Sequence, residues 1–255
     1  MKAKTRIEFI FVFALAAVSL QAQGPPIFTD SPILLGLEGS GLRTFGKLSS
    51  TEVGKTYTQI FALPYNVTAD FQVGAVQPYL FNFPKSGNDQ SGWGNLSVFG
   101  KYSVIQIDAK AKTFRGLLKF TQTFSTGSSN FSNNSITTSQ FAFVSGFVTT
   151  QYGLYASVGY SFISDDMPDN LNYDFAFGYP LLPQKYPPFQ LNSYLEFNGS
   201  YFFDTNAHIL FITPGIQFIG SSNFLIEAGL QLPLINVGTD ELKYNLLAGA
   251  RFLFY

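Results

Sequence analysis

The chain has 255 residues, of which only 12% are charged and 17% are aromatic, with 29 phenylalanines and 14 tyrosines. Soluble domains carry about 25% charged residues, so a soluble globule of this composition would have too little charge to cover its aromatic rings. The formal net charge of −1 gives no basic surface for nucleic acid, and the absence of cysteine excludes disulfides and a cysteine-linked lipid anchor.

The first 22 residues have the pattern of a signal peptide. Lys2, Lys4 and Arg6 precede an apolar run over 9–20, which is too short to span a bilayer, and Ala22 is a small residue where cleavage is expected. We predict that residues 1–22 are removed and that 23–255 form one domain. No later apolar run approaches the ~20 residues that a membrane helix needs. An exported, aromatic-rich chain without such a run indicates a bacterial outer-membrane β-barrel.

Apolar and polar residues then alternate in short segments, which is the pattern of strands with two unlike faces. The predicted strands cover roughly 33–40, 55–65, 71–79, 96–104, 114–124, 141–147, 154–162, 171–179, 190–203, 210–218, 224–234 and 243–255. We therefore predict an all-β fold, a transmembrane antiparallel up-and-down barrel of about twelve strands. It must close, because an unpaired backbone group in hydrocarbon costs several kcal/mol.

The last predicted strand alternates most clearly. Its apolar face consists of Tyr244, Leu246, Ala248, Ala250, Phe252 and Phe254. In water such an end would be an unprotected edge, whereas in a lipid-embedded barrel it is the closing strand. Residues 252–255 are similar to the aromatic C-terminal signal of bacterial outer-membrane barrels, which implies recognition by the barrel-assembly machinery. Because the alternation points Phe254 outward, either Tyr255 lies beyond the strand or a bulge shifts the parity.

The connections support this topology. If both termini are periplasmic, odd-numbered connections face outside, and these include the long polar loops over 84–93, 125–135 and 164–170. Even-numbered connections include the short turns at 66–69, 151–153 and 220–222. Two connections depart from the rule, since 204–207 is short and 182–188 is long.

Four groups of residues carry a family resemblance. They are Phe28-Thr29-Asp30-Ser31-Pro32, Tyr65 to Phe71, Gly92-Trp93-Gly94-Asn95 with Lys101-Tyr102, and Thr213 to Phe218. Together they resemble the outer-membrane proteins grouped as the "meta-pathway of phenol degradation" transporter-like family, over most of the chain after residue 22. The motifs are interpreted as marking hairpins rather than a chemical site. The resemblance implies a barrel with a role in the passage of small, often aromatic, compounds.

Charged residues of both signs fall on the predicted inward faces. These candidate lumen-lining residues are Glu38, Lys101, Arg115, Lys119, Asp174, Glu196, Glu227 and Arg251. They could line a polar lumen and set its selectivity. Alternatively they pair across the interior and plug it, because about eight strands already fill with side chains and a wide channel needs about sixteen. We favour a narrow or gated lumen with salt-bridged walls over an open pore.

Enzymatic and metal chemistry are poorly supported. His208 is the single histidine, and the serine that barrel phospholipases place two residues after their histidine is Leu210 here. Asp165, Asp166 and Asp169 lack the spacing of a calcium loop. One histidine and no cysteine exclude the usual zinc and haem-attachment patterns. We predict no enzyme activity and no cofactor.

The sequence thus favours a passive channel for small molecules, with a narrow lumen of mixed charge. The expected partners are outer-membrane lipid and lipopolysaccharide, the barrel-assembly machinery through the C-terminal strand, and small solutes, but no nucleic acid. The alternative is a closed structural or surface-interaction barrel that acts through its extracellular loops.

Overall fold

Thirteen strands are present in the computed structural model, which describes residues 24–131, 136–165, 167–182, 188–238 and 242–254. They are β1 (Ser40–Thr51), β2 (Gly54–Asn66), β3 (Phe71–Pro84), β4 (Gln90–Trp93), β5 (Ser97–Ala109), β6 (Lys112–Thr123), β7 (Thr138–Thr149), β8 (Gly153–Ile163), β9 (Asn170–Pro180), β10 (Gln190–Phe202), β11 (Ala207–Ser221), β12 (Phe224–Val237) and β13 (Leu242–Phe254). Within the described ranges, no helix is long and apolar enough to cross a membrane.

The strands form one closed antiparallel sheet. Each strand other than β4 and β5 pairs with its neighbours along the chain, and β1 also pairs with β13, which joins the first strand to the last. On the side of β3 away from β2, the first half of β3 pairs with β5 and the second half with β4. Because β4 and β5 share one position, the wall has twelve strand positions. The predicted all-β barrel of about twelve strands is confirmed.

The outward face is apolar along the closing strand, as predicted. Phe254 is 55% exposed and Leu246 is 49% exposed, whereas Asn245 and Leu247, the two inward neighbours of Leu246, are each only 1% exposed. Tyr255, which the sequence places either beyond the strand or after a bulge, lies outside the described residues. Outward rings also pack against each other between neighbouring strands, as Phe120 and Phe141 do with ring centroids 4.8 Å apart. Apolar side chains therefore cover the outside of the barrel.

The predicted first strand over 33–40 is wrong. Strand β1 begins only at Ser40, and the residues before it form a turn in which the Gly39 N–H donates to the Gly36 carbonyl. Gly36 and Glu38 both have positive φ, at 89° and 58°. Glu38 is exposed in this turn and does not lie on an inward strand face, so its assignment as a lumen-lining residue is wrong as well. Apolar residues alternate there without forming a ladder.

The two ends of the barrel can be distinguished by the chain. We call the end where β1 begins and β13 ends the terminal end; it also holds the β2–β3, β5–β6, β7–β8, β9–β10 and β11–β12 connections. The opposite end holds the connection between β6 and β7, which spans 124–137. Several turns at the terminal end are tight, including the two residues Lys110 and Ala111 between β5 and β6.

Residues Gly24–Pro32, which precede β1, lie inside the barrel, and we call them the inserted segment. Ile27 is 1% exposed and packs in a cluster with Val148, Tyr155, Ala176, Tyr194 and Leu247, which come from five different wall strands. The Gly24 carbonyl accepts a hydrogen bond from Tyr155, and Pro32 lies beside Gly146 next to the same tyrosine. The segment therefore extends into the lumen and turns back. The sequence pattern did not predict this.

Candidate functional site in the barrel lumen

Side chains of the barrel wall donate hydrogen bonds to four consecutive backbone carbonyls of the inserted segment. The donors to the carbonyls of Gly24, Pro25, Pro26 and Ile27 are, in that order, Tyr155 with Tyr194, Gln217, Arg251 and Arg43. The bond from Gln217 is 2.8 Å long and that from Arg251 is 2.6 Å. Two of these residues are prolines, which have no N–H to satisfy. The two prolines therefore need donors alone, and the wall provides them.

Glu196 is the anion that binds the backbone N–H groups of the next residues in the inserted segment. Its carboxylate accepts hydrogen bonds from the N–H groups of Ile27 at 2.7 Å, Phe28 at 3.0 Å and Thr29 at 2.7 Å. The residue is fully buried. Consecutive N–H groups that converge on one anion compensate its charge without a cation, and such bonds are stronger than those between neutral groups. The inserted segment is therefore the ligand that makes burial of this carboxylate tolerable.

Asp30 is held by two lysines of the wall. Lys101 Nζ lies 2.8 Å from Asp30 Oδ1, and Lys119 Nζ lies 2.5 Å from Oδ2. Burial alone would raise the pKa of Asp30, but the two ammonium groups outweigh it and hold that pKa well below its usual range. Both ammonium groups also approach the ring of Phe99, at 5.6 and 5.9 Å from its centroid.

A second cluster lies where β1 meets β13. Arg43 and Arg251 are direct register partners across this seam, and each pairs with Glu227 of β12 at 2.8 Å. The Glu227 side chain is fully buried. The same two arginines donate to the carbonyls of Ile27 and Pro26. The seam of the wall and the inserted segment therefore share a pair of guanidinium groups.

Asp174 belongs to a polar layer beside Thr29. It accepts hydrogen bonds from Ser157 at 2.6 Å and Asn198 at 3.0 Å. The Asn198 carbonyl oxygen in turn accepts from Thr213 at 3.0 Å. This layer is made mainly of amides and hydroxyls, so the lumen is polar beyond the ion pairs.

The eight sequence-predicted candidates thus occupy different places. Four contact the inserted segment directly, namely Lys101, Lys119, Glu196 and Arg251. Glu227 acts through the two arginines, and Asp174 lies in the polar layer. Arg115 pairs with Asp108 at 2.9 Å near the β5–β6 turn, and Glu38 lies in the turn before β1.

Several contact residues were missed. Arg43 lies on β1, which the sequence pattern placed at 33–40 instead of Ser40–Thr51. Tyr155, Tyr194 and Gln217 are uncharged, so a search for charged residues on inward faces does not find them. Asp30 belongs to the first of the four motifs that carry the family resemblance, but no local pattern indicates that this motif enters the lumen.

His208 lies away from this site. It is on the same face of β11 as Ile216, which is 55% exposed, and its Nε2 is 2.6 Å from the hydroxyl of Tyr173. Among the residues that the structure describes, no three His, Cys, Asp or Glu side chains are grouped as metal ligands would be. Asp166, part of the acidic loop considered for calcium, lies outside the described residues.

No family model matches the sequence, and no curated protein matches it. In fold, the barrel is similar to the COG4313 outer membrane channel from Pseudomonas putida F1, with 12% identity and a TM-score of 0.65 over 90% of this chain and 100% of that one. It is also similar to the KdgM porin in complex with disordered oligogalacturonate, with 10% identity and a TM-score of 0.51 over 84% of this chain and 99% of that one. The β domain of the Bordetella autotransporter BrkA matches at 9% identity with the same TM-score and coverage. This chain therefore shares its fold with outer-membrane channels.

Proposed function

We propose that this protein is an outer-membrane channel for small solutes, and that the inserted segment controls passage through its lumen. The observation that carries the proposal is the binding of the segment by polar wall side chains, carbonyl by carbonyl and amide by amide. Ile27 and Phe28 pack in or against the apolar cluster, whereas the backbone of the segment and Asp30 are held by hydrogen bonds and ion pairs. Hydrogen bonds and ion pairs can be exchanged for bonds to water or solute at small net cost, so the segment is a removable occupant.

The proposal extends to export and to the family. Residues 1–22, outside the described ranges, would be the removed signal peptide. Two of the four family-resemblance motifs meet in the lumen, because Asp30 of the first binds Lys101 of the third. Ile27, the residue before the first motif, lies against Gly215 of the fourth. These contacts support membership of the "meta-pathway of phenol degradation"-like family and oppose the interpretation of its motifs as hairpin markers only. Outer-membrane location, lipopolysaccharide contact and recognition of β13 by the assembly machinery belong to the same proposal.

A reversible cross-link tests the role of the segment. The natural chain has no cysteine, and a Cβ placed on Gly146 would lie 2.9 Å from the Pro32 side chain. The double variant Pro32→Cys/Gly146→Cys should therefore form a disulfide that fixes the segment to β7. In liposome-swelling measurements with arabinose, the oxidised form should show no flux above protein-free vesicles, and reduction should restore the wild-type rate.

A wall-only cross-link is the matched control. Thr56 and Asn82 are register partners on β2 and β3, and their side chains hydrogen-bond to each other. Oxidising Thr56→Cys/Asn82→Cys should leave arabinose flux unchanged. Equal flux through the oxidised and reduced Pro32/Gly146 variant would show that the segment does not control passage. Absence of flux in every form, wild type included, would favour the closed surface-interaction barrel instead.

A further inference from the structure

Two lysines lie directly opposite each other on the lumen face of the barrel wall. Lys101 on β5 and Lys119 on β6 are register partners, and their side chains are 12% and 19% exposed. Like charges directly opposite on neighbouring strands repel. The anion that both contact is Asp30, which belongs to the inserted segment and not to the wall. If the segment is removable, as the proposed function states, the wall keeps a pair of cations without that anion.

The geometry around Asp30 is that of a carboxylate site. Each lysine takes a different oxygen of the same carboxylate, so the two ammonium groups match a planar anion with two acceptor atoms. The ring of Phe99 lies beside both ammonium groups. Phe99 can occupy this position because its neighbour across β3 is Gly74, where a Cβ would fall 2.4 Å from the Phe99 ring. The site therefore combines two cations with an apolar ring.

We propose that Lys101, Lys119 and Phe99 form a binding site for small organic carboxylates with an apolar body, and that Asp30 fills this site as an internal competitor. Such a solute replaces the Asp30 carboxylate on the two lysines and places its apolar part against Phe99. The segment then loses the two ion pairs that Asp30 makes with these lysines, so binding of the solute favours release of the segment. The inference rests on the proposed function, because it assigns the solute class for the same lumen.

Competition has a quantitative consequence. A group tethered close to its site acts at an effective concentration in the millimolar range. Free carboxylates must therefore reach similar concentrations to displace Asp30 in the wild type. Removal of the Asp30 charge should strengthen their binding at least about tenfold, since the internal competitor is lost.

Benzoate is the probe, with benzamide as its neutral counterpart of the same shape. Titration calorimetry on the full chain in detergent should show weak benzoate binding to the wild type and binding at least about tenfold tighter to Asp30→Asn. Benzamide should bind neither. The double variants Asp30→Asn/Lys119→Gln and Asp30→Asn/Lys101→Gln should lose the gain. The matched control Asp30→Asn/Arg115→Gln, which removes a cation from the same strand that pairs elsewhere, should keep it.

Three results would overturn the proposal: no gain in Asp30→Asn, equal binding of benzamide and benzoate, or full benzoate binding after loss of either lysine. Each variant is first checked for folding by its gel mobility before and after boiling. The calorimetric result does not depend on flux. Tight benzoate binding to an Asp30→Asn protein that passes no solute would therefore uphold the site and reject the channel, and the reverse result would reject the site alone.

Discussion

Two pairs of like-charged side chains face each other across neighbouring strands of this barrel. Arg43 opposes Arg251 at the seam, and Lys101 opposes Lys119 elsewhere in the wall. The arginines share Glu227, a buried residue of the wall itself. The lysines share Asp30, which arrives on the inserted segment. The two regions thus have the same repulsion and obtain their counter-charge from different sources.

The arginine pair has a structural role and the lysine pair a functional one, because Glu227 belongs to the wall and Asp30 to the inserted segment. Glu227 stays with the arginines whatever the segment does, and the forked guanidinium groups still have donors left for the carbonyls of Pro26 and Ile27. The arginine pair is therefore a permanent part of the seam. The charge of the lysine pair is compensated by a carboxylate from outside the wall. The pair is therefore suited to exchange one carboxylate for another.

The largest effect is expected at the seam, from Glu227→Gln. This change leaves two partly buried arginines opposed without their anion. Loss of one partner of a buried ion pair costs about 3–5 kcal/mol. Urea unfolding in lipid vesicles, followed by far-UV circular dichroism, should show that loss. Glu52→Gln, which breaks the exposed pair with Lys243, is the control and should leave the midpoint unchanged. Unfolding of Glu227→Gln at the wild-type midpoint would mean that the seam does not depend on this charge.

The next effect is expected at the lysine pair, from Asp30→Asn. The wall should unfold as in the wild type, while the segment should be released more often. A hydrogen bond to a charged group contributes about 1.5–3 kcal/mol, so release should increase about tenfold or more. Thr29→Cys, buried beside Glu196, reports release through its rate of labelling by a maleimide. Val53→Cys, exposed in the β1–β2 turn, should label equally fast with and without Asp30→Asn.

Low pH should also release the inserted segment from the lysine pair, as Asp30→Asn does. The pKa of Asp30 is depressed in the docked segment, so its contribution to docking is present above the ordinary aspartate pKa of about 3.9 and is lost as the pH falls below it. Arabinose flux should therefore stay level from about pH 8 to pH 5 and rise below about pH 4. Asp30→Asn should lack this rise, so an identical acid rise in both proteins would assign it to another group.

The apolar outer face of the barrel could be predicted from the sequence, and the contacts inside the lumen only in part. Leu246, Phe252 and Phe254 lie on one unbroken apolar face of the last strand, and that period of two is a local signal. The contact of Glu196 with Ile27 joins residues 169 positions apart, and no local pattern encodes it. Strand β1 was misplaced because its inward face carries Arg43 and Lys47, whereas the turn before it is rich in leucine.

The smallest effect is expected where the segment enters the lumen, at the Gly24 carbonyl. Tyr155 and Tyr194 both donate to this oxygen, and a carbonyl has two lone pairs, so either hydroxyl can remain when the other is removed. Tyr155→Phe keeps the buried ring beside Ile27 and removes one neutral hydrogen bond, worth about 0.5–1.5 kcal/mol. Thr29→Cys labelling should therefore accelerate only about twofold to tenfold, and Tyr155→Phe/Tyr194→Phe should exceed the sum of the single changes. A single Tyr→Phe change that releases the segment as much as Asp30→Asn would place its main anchor at Gly24, and the contrast between the two charged pairs would then no longer explain how the lumen is held.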